Sequence, residues 1–393
     1  MTRAGGLAAP RPEESRMAAD FALCIEEDVF LNDAQKRDAA RARMRDFLGV
    51  CRRDFPAARH DLIEPRLIWS TPPVADLAEA RRALEALRGG IGALAAARGL
   101  TVMAAGTHPI ALWSRVRPRD AAARDRVQRD LQMVGSRTVV CGLSIRVGLP
   151  EGVSRIDVMN RIQPFLPLIL ALSTSSPFWQ AQRTGLMGYR LAASRELPRS
   201  GLPPYFRDED DHARYLAALM RAGAIADLAH VWWVIRPAGE AHALDLRIAD
   251  SCTRLDDTLA IAALTRCLVR RLARDPSLQR DLTGATHAIT AENCWRAQRS
   301  GIHGSLMTES GEAEPVPALL SRTLALVAED GAALGCTAEL DLARWIVARG
   351  TSADRQLALF TEAQGRGLPV REALACVVDW LSAETIGANP SWH

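Results

Sequence analysis

The stretch VVCGLSIRVGLP, residues 139–150, decides the fold. It opens as a buried strand, with Val139, Val140 and Cys141 apolar in succession. It then alternates. Ser144, Arg146 and Gly148 fall on one face and Ile145 and Val147 on the other, because a strand repeats every two residues. An apolar face backed by one carrying a hydroxyl and a guanidinium suits an antiparallel sheet with a single wet side.

The rest of the chain supplies partners for that strand. Residues 21–31, 65–71, 100–107, 230–237 and 242–250 also read as strands, and the strand around the opening stretch runs over 138–149. Helical spacing is expected over 33–48, 74–98, 118–133, 154–173, 208–223 and 255–274. TRLD at 253–256 has the spacing of a capping box. From about residue 315 the pattern is helical only, broken by Gly and Pro signals. Strands separated by helices also fit a parallel doubly wound sheet. No Gly-rich phosphate turn follows any strand, however, and GGIG at 89–92 lies inside a helical run. The expected class is α+β.

Composition narrows the chemistry. The 393 residues are 48% hydrophobic and 24% charged, a globular balance with length for one large domain or two smaller ones. The net charge of +3 is spread along the chain without a dense basic block, which argues against a nucleic-acid partner. The eight cysteines are scattered without a CxxC pair, which suits reduced thiols in the cytoplasm and argues against zinc. Residues 1–20 lack the apolar core of a signal peptide and read as a mobile tail. The longest apolar run, FLPLILALS at 165–173, is too short to span a membrane.

Of the 49 basic residues only Lys36 is a lysine. A P-loop requires Gly-Lys-Ser/Thr, and a pyridoxal Schiff base requires a lysine in a pocket. The first tripeptide is absent, and Lys36 lies in AQKRDAARARMRDF, which reads as an exposed helix. Nucleotide phosphates would therefore be held by arginine, magnesium and backbone amides.

Three strands repeat one device. Glu26 and Asp28 share a face, as do Ser144 and Arg146, and as do Asp245 and Arg247. Each pair alone reads as a solvated sheet face; three of them inside otherwise apolar strands point to a site. Clustered carboxylates suit magnesium, and arginines beside them suit phosphate or a substrate carboxylate. His108, between a strand end and Pro109, fits a structural turn and a functional role equally well. SSPFW (175–179) and TGLMGYR (184–190) bracket a loop ending in Tyr189 and Arg190. Its length suits a binding lid more than a connector. Glu292, Asn293, Arg296 and Arg299 in ENCWRAQRSG read as a solvated helix face.

Taken in order, the motifs form a pattern: IEED (25–28), GTHP (106–109), CGLSIRVGLP (141–150), VMNRIQPFLPLILALSTSSPFW (158–179), TGLMGYR (184–190), LPRSGLPPYF (197–206), WWVIRP (232–237), LRIAD (246–250) with TRLDDTLAIAAL (253–264), and ENCWRAQRSG (292–301). Together they resemble the type 2 glutamate–cysteine ligase family, bacterial ATP-dependent carboxylate–amine ligases, over roughly the first three quarters of the chain. The resemblance implies a glutamine-synthetase-like fold, a curved antiparallel sheet whose polar face forms a funnel for ATP and metal. It implies a catalytic domain over 21–310 with a helical region, 311–393, packed on it. It also implies phosphorylation of a carboxylate by ATP, followed by attack of an amine on the acyl phosphate, with glutamate and cysteine as the family's accepted substrates.

By this resemblance Glu26, Asp28 and Asp245 are metal ligands for magnesium or manganese. Arg247 stands beside the last of them, and Tyr189 and Arg190 belong to a substrate or phosphate loop. Ser144, Arg146, Tyr189, Arg190 and Arg247 are the expected nucleotide-binding residues, and Arg247, Arg190 and Arg146 the expected catalytic ones. Small acid and amine substrates are implied, and a homodimer is a possible assembly. The chain also departs from the family pattern. Ser144 and Arg146 stand where the family writes two histidines, Ile68 where it writes a glutamate, and Val234 where it writes an aspartate. Arg146 either holds phosphate oxygens in place of a metal or marks a site that has lost its chemistry. The alternative to a ligase is therefore a non-catalytic binding or regulatory protein.

Overall fold

Strand β1 (Leu23–Asp33) is the spine of the molecule. In this computed structural model, residues 20–40, 44–60, 65–116, 131–137, 139–239 and 241–388 are described. The tail expected over 1–20 and most of the helix expected over 118–133 lie outside the described residues. Around β1 the chain sets β2 (Ala58–His60), β3 (Arg66–Ser70), β4 (Leu100–Met103), β5 (Leu143–Gly148), β6 (Ile235–Pro237) and β7 (Ala243–Leu246). These seven strands form one sheet in the order β6-β7-β5-β1-β3-β2, with β4 also pairing with β1. Every pairing is antiparallel. The α+β class is as expected.

The period of two sets the layers. Leu23, Ile25, Val29 and Leu31 of β1, Leu143, Ile145 and Val147 of β5, and Leu67 and Trp69 of β3 enter one apolar cluster. Helices cover that side, chiefly Leu77–Ala96, Leu166–Ser173 and Leu255–Arg274, whose apolar residues join the same cluster. The opposite face is polar along Glu26, Asp28, Ser144, Arg146 and Asp245, while toward β4 its Phe30 and Met103 join a second apolar cluster with Phe360, Val377 and Leu381. Glu27 is the exception on the apolar side. It is fully buried and clamped by Arg88 through Nη2–Oε1 (2.5 Å) and Nε–Oε2 (3.0 Å), with Trp69 Nε1 and Thr258 Oγ1 also donating to it.

The C-terminal helices Val316–Leu326, Ala328–Ala333, Thr337–Arg349, Ser352–Gly365 and Val370–Thr385 pack back onto this body. Leu340, Ala343 and Ile346 join the main apolar cluster, and Thr385 Oγ1 accepts from the Ala104 amide just beyond β4. Among the described residues no helix is long and apolar enough to cross a membrane.

Several local expectations are corrected. β1 runs on to Asp33 and a turn follows, so Lys36 is exposed on a turn; the first helix among the described residues covers Met44–Asp54. The pattern over 33–48 was misleading because a buried strand end and a polar turn together mimic helical spacing. TRLD is not a capping box. The helix starts at Leu255 with Arg254 as its cap and no side-chain cap bond. Thr253 Oγ1 instead donates to Ala104 O and pairs with Ser352 Oγ at 2.6 Å. Residues 230–237 split in two. Trp232–Trp233 pairs in parallel with Ser200–Gly201, and only β6 joins the main sheet.

Candidate active site

The polar face can be built row by row from the strand register. Arg236 lies opposite Asp245, Asp245 opposite Arg146, and Arg146 opposite Cys24. In the next row Ser144 faces Glu26, which faces Ser70. In the third, Asp28 faces Ile68, which faces Arg59. Over this face and the segment 190–201 lies a cavity of about 240 Å³, whose polar wall includes Glu26, Asp28, Arg66, Ser144, Arg190 and Arg247. Leu191, Trp232, Trp233 and Val234 supply apolar wall.

Each carboxylate on this face has a cationic neighbour. Arg59 Nη2 reaches Glu26 Oε2 at 2.5 Å, and Arg66 Nη2 reaches Asp28 Oδ2 at 3.0 Å, where the Gly142 amide also donates at 3.2 Å. Asp245 is buried and has both oxygens engaged: Oδ1 accepts from Ser144 Oγ, and Oδ2 from Arg236 Nε at 3.4 Å. Burial pushes its carboxyl up. Arg247, Arg236 and Arg146, together with the Ser144 hydroxyl, more than offset that and hold it below the ordinary range.

Arg190 is spent on structure. Its Nε donates to Asp250 Oδ1 at 2.9 Å and its Nη2 to the carbonyls of Arg247 (3.1 Å) and Ile248 (2.5 Å). Asp250 is fully buried and also accepts from the Ser175 amide and the Ser176 hydroxyl. Residues 174–176, at the start of the bracketed loop, are therefore held in the interior. The cavity instead takes its second wall from Leu191 to Gly201, just after that segment. Space is tight where Arg190 passes β5: a Cβ added at Gly142 would stand 3.1 Å from its Nη1.

The expected residues thus separate. Glu26, Asp28, Ser144, Arg190 and Arg247 come together on the cavity wall. Arg146 shares their face one row further along β5 and does not line the cavity, and its buried Nε has no hydrogen-bond partner. Tyr189 packs on Trp179 at 5.6 Å between ring centroids and is not on the cavity wall. Three arginines were missed: Arg59, Arg66 and Arg236. Arg66 was the readable one, since RLIWS alternates Arg66, Ile68 and Ser70 onto the face of Glu26 and Asp28.

Magnesium is satisfied by one or two carboxylates when phosphates and water supply the remaining oxygens. Glu26 and Asp28, each with an oxygen free of the bonds just named, fit that demand. Asp245 is more enclosed: Ser144 and Arg236 donate to its two oxygens, and the charges of Arg247, Arg236 and Arg146 act on it. Among the described residues no group of three or more His, Cys, Asp or Glu is placed to hold a metal ion.

The α+β frame is also found in solved structures of ligases. The structure matches a glutamate–cysteine ligase of Francisella tularensis in complex with AMP, with a TM-score of 0.69 at 10% identity, over 93% of this chain and 89% of that one. It matches a bifunctional glutathione synthetase of Pasteurella multocida with a TM-score of 0.66 at 14% identity, over 95% of this chain and 54% of that one. At such identities these likenesses establish the fold. Residues 23–373 match the model of Glutamate-cysteine ligase family 2. Relatives provisionally named glutamate–cysteine ligase 2 include one from Bradyrhizobium sp. (strain ORS 278), 40% identical over 93% of this chain and 88% of its own length. Another, from Rhodospirillum rubrum, is 40% identical over 93% and 96%. The chain belongs to Glutamate-cysteine ligase family 2, as its ordered motifs implied.

Proposed function

We propose that the protein is an ATP-dependent carboxylate–amine ligase that joins a small acid to a small amine, with glutamate and cysteine the first pair to try. The observation that carries this reading is the cavity on the polar face, walled by Arg247 and Ser144 on one side and Glu26 and Asp28 on the other, in a chain of this family.

The acid's carboxylate oxygen attacks the γ-phosphorus of ATP and the bond to the ADP oxygen breaks, giving an acyl phosphate. The amine nitrogen then attacks the acyl carbon, phosphate leaves with the bonding electron pair, and the nitrogen sheds a proton to water. No side-chain nucleophile is needed. The difficulty is electrostatic, since an anion must approach a polyanion. Arg247 supplies positive charge at the cavity wall for the transferring phosphoryl group. Arg190 acts as a positioning residue, because its Nη2 grips the Arg247 carbonyl. Ser144 holds Asp245, which in turn orders the guanidinium groups around it. Glu26 and Asp28 would hold a magnesium ion arriving with ATP, and that ion would neutralise phosphate charge when bound.

The test is ADP release over a panel of acids and amines, read with product by mass spectrometry. A ligase gives ADP only when acid is present and an amide when both are. ATP binding without acid-dependent ADP would favour a binding or regulatory protein.

A further inference from the structure

A second, smaller cavity of about 130 Å³ adjoins the first, and the two share Leu191, Ser200, Gly201 and Val234 as wall. His287, Ala291, Cys294 and Gln298 form one side of it. Their spacing of four, three and four residues sets them in a single stripe along the helix Gly284–Ser300. Leu202 and Ile248 add apolar wall. None of the residues given a part in phosphoryl transfer lines this space.

Three polar features give the cavity its chemistry. Gln298 is 1% exposed; its Nε2 donates to the Cys294 carbonyl at 3.0 Å, and its Oε1 is buried with no donor. A buried acceptor without a donor costs free energy, and a ligand's N–H or O–H can fill the role. His287 Nε2 donates to the Pro203 carbonyl at 3.0 Å, which leaves Nδ1 as a second acceptor. Arg195 brings positive charge. Its side chain makes no hydrogen bond or ion pair among the described residues, and its charge reaches the Cys294 thiol. Two nearby carboxylates are committed elsewhere, Glu196 to Arg137 and Glu292 to Arg296.

Size and polarity together describe the guest. An apolar cavity of about 150 Å³ holds a benzene-sized molecule. A single ring therefore fills this one, whereas the side chain of cysteine would leave most of it empty. A ring hydroxyl meets the orphaned Gln298 oxygen, and a carboxylate meets the Arg195 guanidinium. An aromatic α-amino acid supplies both, and its nitrogen is the nucleophile that amide formation needs. We propose that this second cavity is the side-chain pocket for the amine partner, and that the partner is an aromatic α-amino acid of the tyrosine class. Gln298 accepts from its ring hydroxyl and Arg195 holds its carboxylate. The role as amine rests on the ligase reading; the pocket does not.

The pocket is formed without ligand, so binding requires neither nucleotide nor acid. The experiment is ligand-observed NMR titration of the full-length protein with tyrosine, phenylalanine, tyramine and cysteine. Tyrosine is expected to bind at least tenfold more tightly than cysteine and more tightly than phenylalanine. Ala291→Leu fills the cavity and should weaken tyrosine by at least tenfold, closing the gap to cysteine. Arg195→Gln should weaken tyrosine by about fivefold, as an exposed ion pair allows, and leave tyramine, which lacks the carboxylate, unchanged. Gln298→Met should abolish the preference for tyrosine over phenylalanine. Circular dichroism confirms folding, and Ala291→Val repeats the filling test with a smaller intrusion. Cysteine binding as tightly as tyrosine, neither aromatic amino acid binding, or tyrosine binding indifferent to Ala291→Leu would each overturn the pocket. Tyrosine binding as expected without acid-dependent ADP release would instead sink the ligase reading and leave the pocket standing. ADP release with cysteine while neither aromatic binds would do the reverse.

Discussion

Ser144 and Asp245, 101 residues apart in sequence, are joined by a hydrogen bond from the serine hydroxyl to carboxylate Oδ1 across the β5–β7 pairing. The serine thus fixes a buried anion amid arginines. Ser144→Ala is expected to leave Oδ1 buried without that donor and to lower stability by about 1–3 kcal/mol, the cost of an unsatisfied buried acceptor. Urea denaturation checks this. A midpoint unchanged from the parent would show that the bond contributes nothing.

Arg247 separates from Asp245 in what its loss should do. Its side chain makes no hydrogen bond among the described residues but is the foremost charge holding the buried Asp245 ionised, so Arg247→Ala should lower the melting temperature modestly and leave the protein folded. It should slow ADP release by about 3 kcal/mol of barrier, typical for one lost transition-state contact. Unchanged ADP release would assign Arg247 to an idle sheet face.

The buried Glu27–Arg88 pair gives a stability test away from the cavity. Glu27→Gln should cost about 3–5 kcal/mol, because it strands the Arg88 charge. Burial pushes the Glu27 carboxyl up, but Arg88, Trp69 and Thr258 outweigh it and hold it below the ordinary carboxylate range. A depressed carboxyl stabilises the fold above its unfolded-state value near 4.3, and that stability is lost as pH falls through the lower folded value. The parent should show this acid-limb loss below about pH 4.3 and the Gln variant should not.

His108 titrates in a different window. It is buried, with Nε2 at 3.1 Å from Asn32 Oδ1 and Nδ1 accepting from the amides of Ile110 and Ala111, an arrangement for the neutral ring. Burial lowers its pKa to about 4. Between about pH 6.5 and 4 the unfolded chain binds the extra proton, so stability is complete above 6.5 and falls by about 3 kcal/mol toward 4. His108→Gln should flatten that slope in urea denaturation across the window. A slope identical to the parent's would show that His108 is not its source.

How much of this was legible follows from the range of each interaction. The alternation in VVCGLSIRVGLP gave β5, its two faces and the antiparallel sheet, because period two is local. The same rule placed Glu26 and Asp28 together and turned Glu27 inward. The partners of those carboxylates were not legible. Arg59 is 33 residues from Glu26, Arg66 is 38 from Asp28, and their meeting depends on strand register. The guanidinium groups acting on Asp245 were not legible either, because Arg236 and Arg146 meet it only through strand register. Tyr189 and Arg190 were read as one loop element, yet the ring packs on Trp179 while the guanidinium ties Asp250 to the ends of β7 and its successor residues. Thr253 had the spacing of a cap, but tertiary contacts to Ala104 and Ser352 claimed its hydroxyl.

Formation of an acyl phosphate is tested most directly by following oxygen. The acid is supplied with its carboxylate labelled with oxygen-18, together with ATP, magnesium and the amine, and the released phosphate is read by phosphorus-31 NMR. Attack of the carboxylate on the γ-phosphorus carries one labelled oxygen into phosphate when the amine displaces it, so an isotope-shifted phosphate signal should grow in step with amide. Amide formed with wholly unlabelled phosphate, or labelled acid returned unchanged while ATP is hydrolysed, would contradict a carboxylate–amine ligase working through an acyl phosphate.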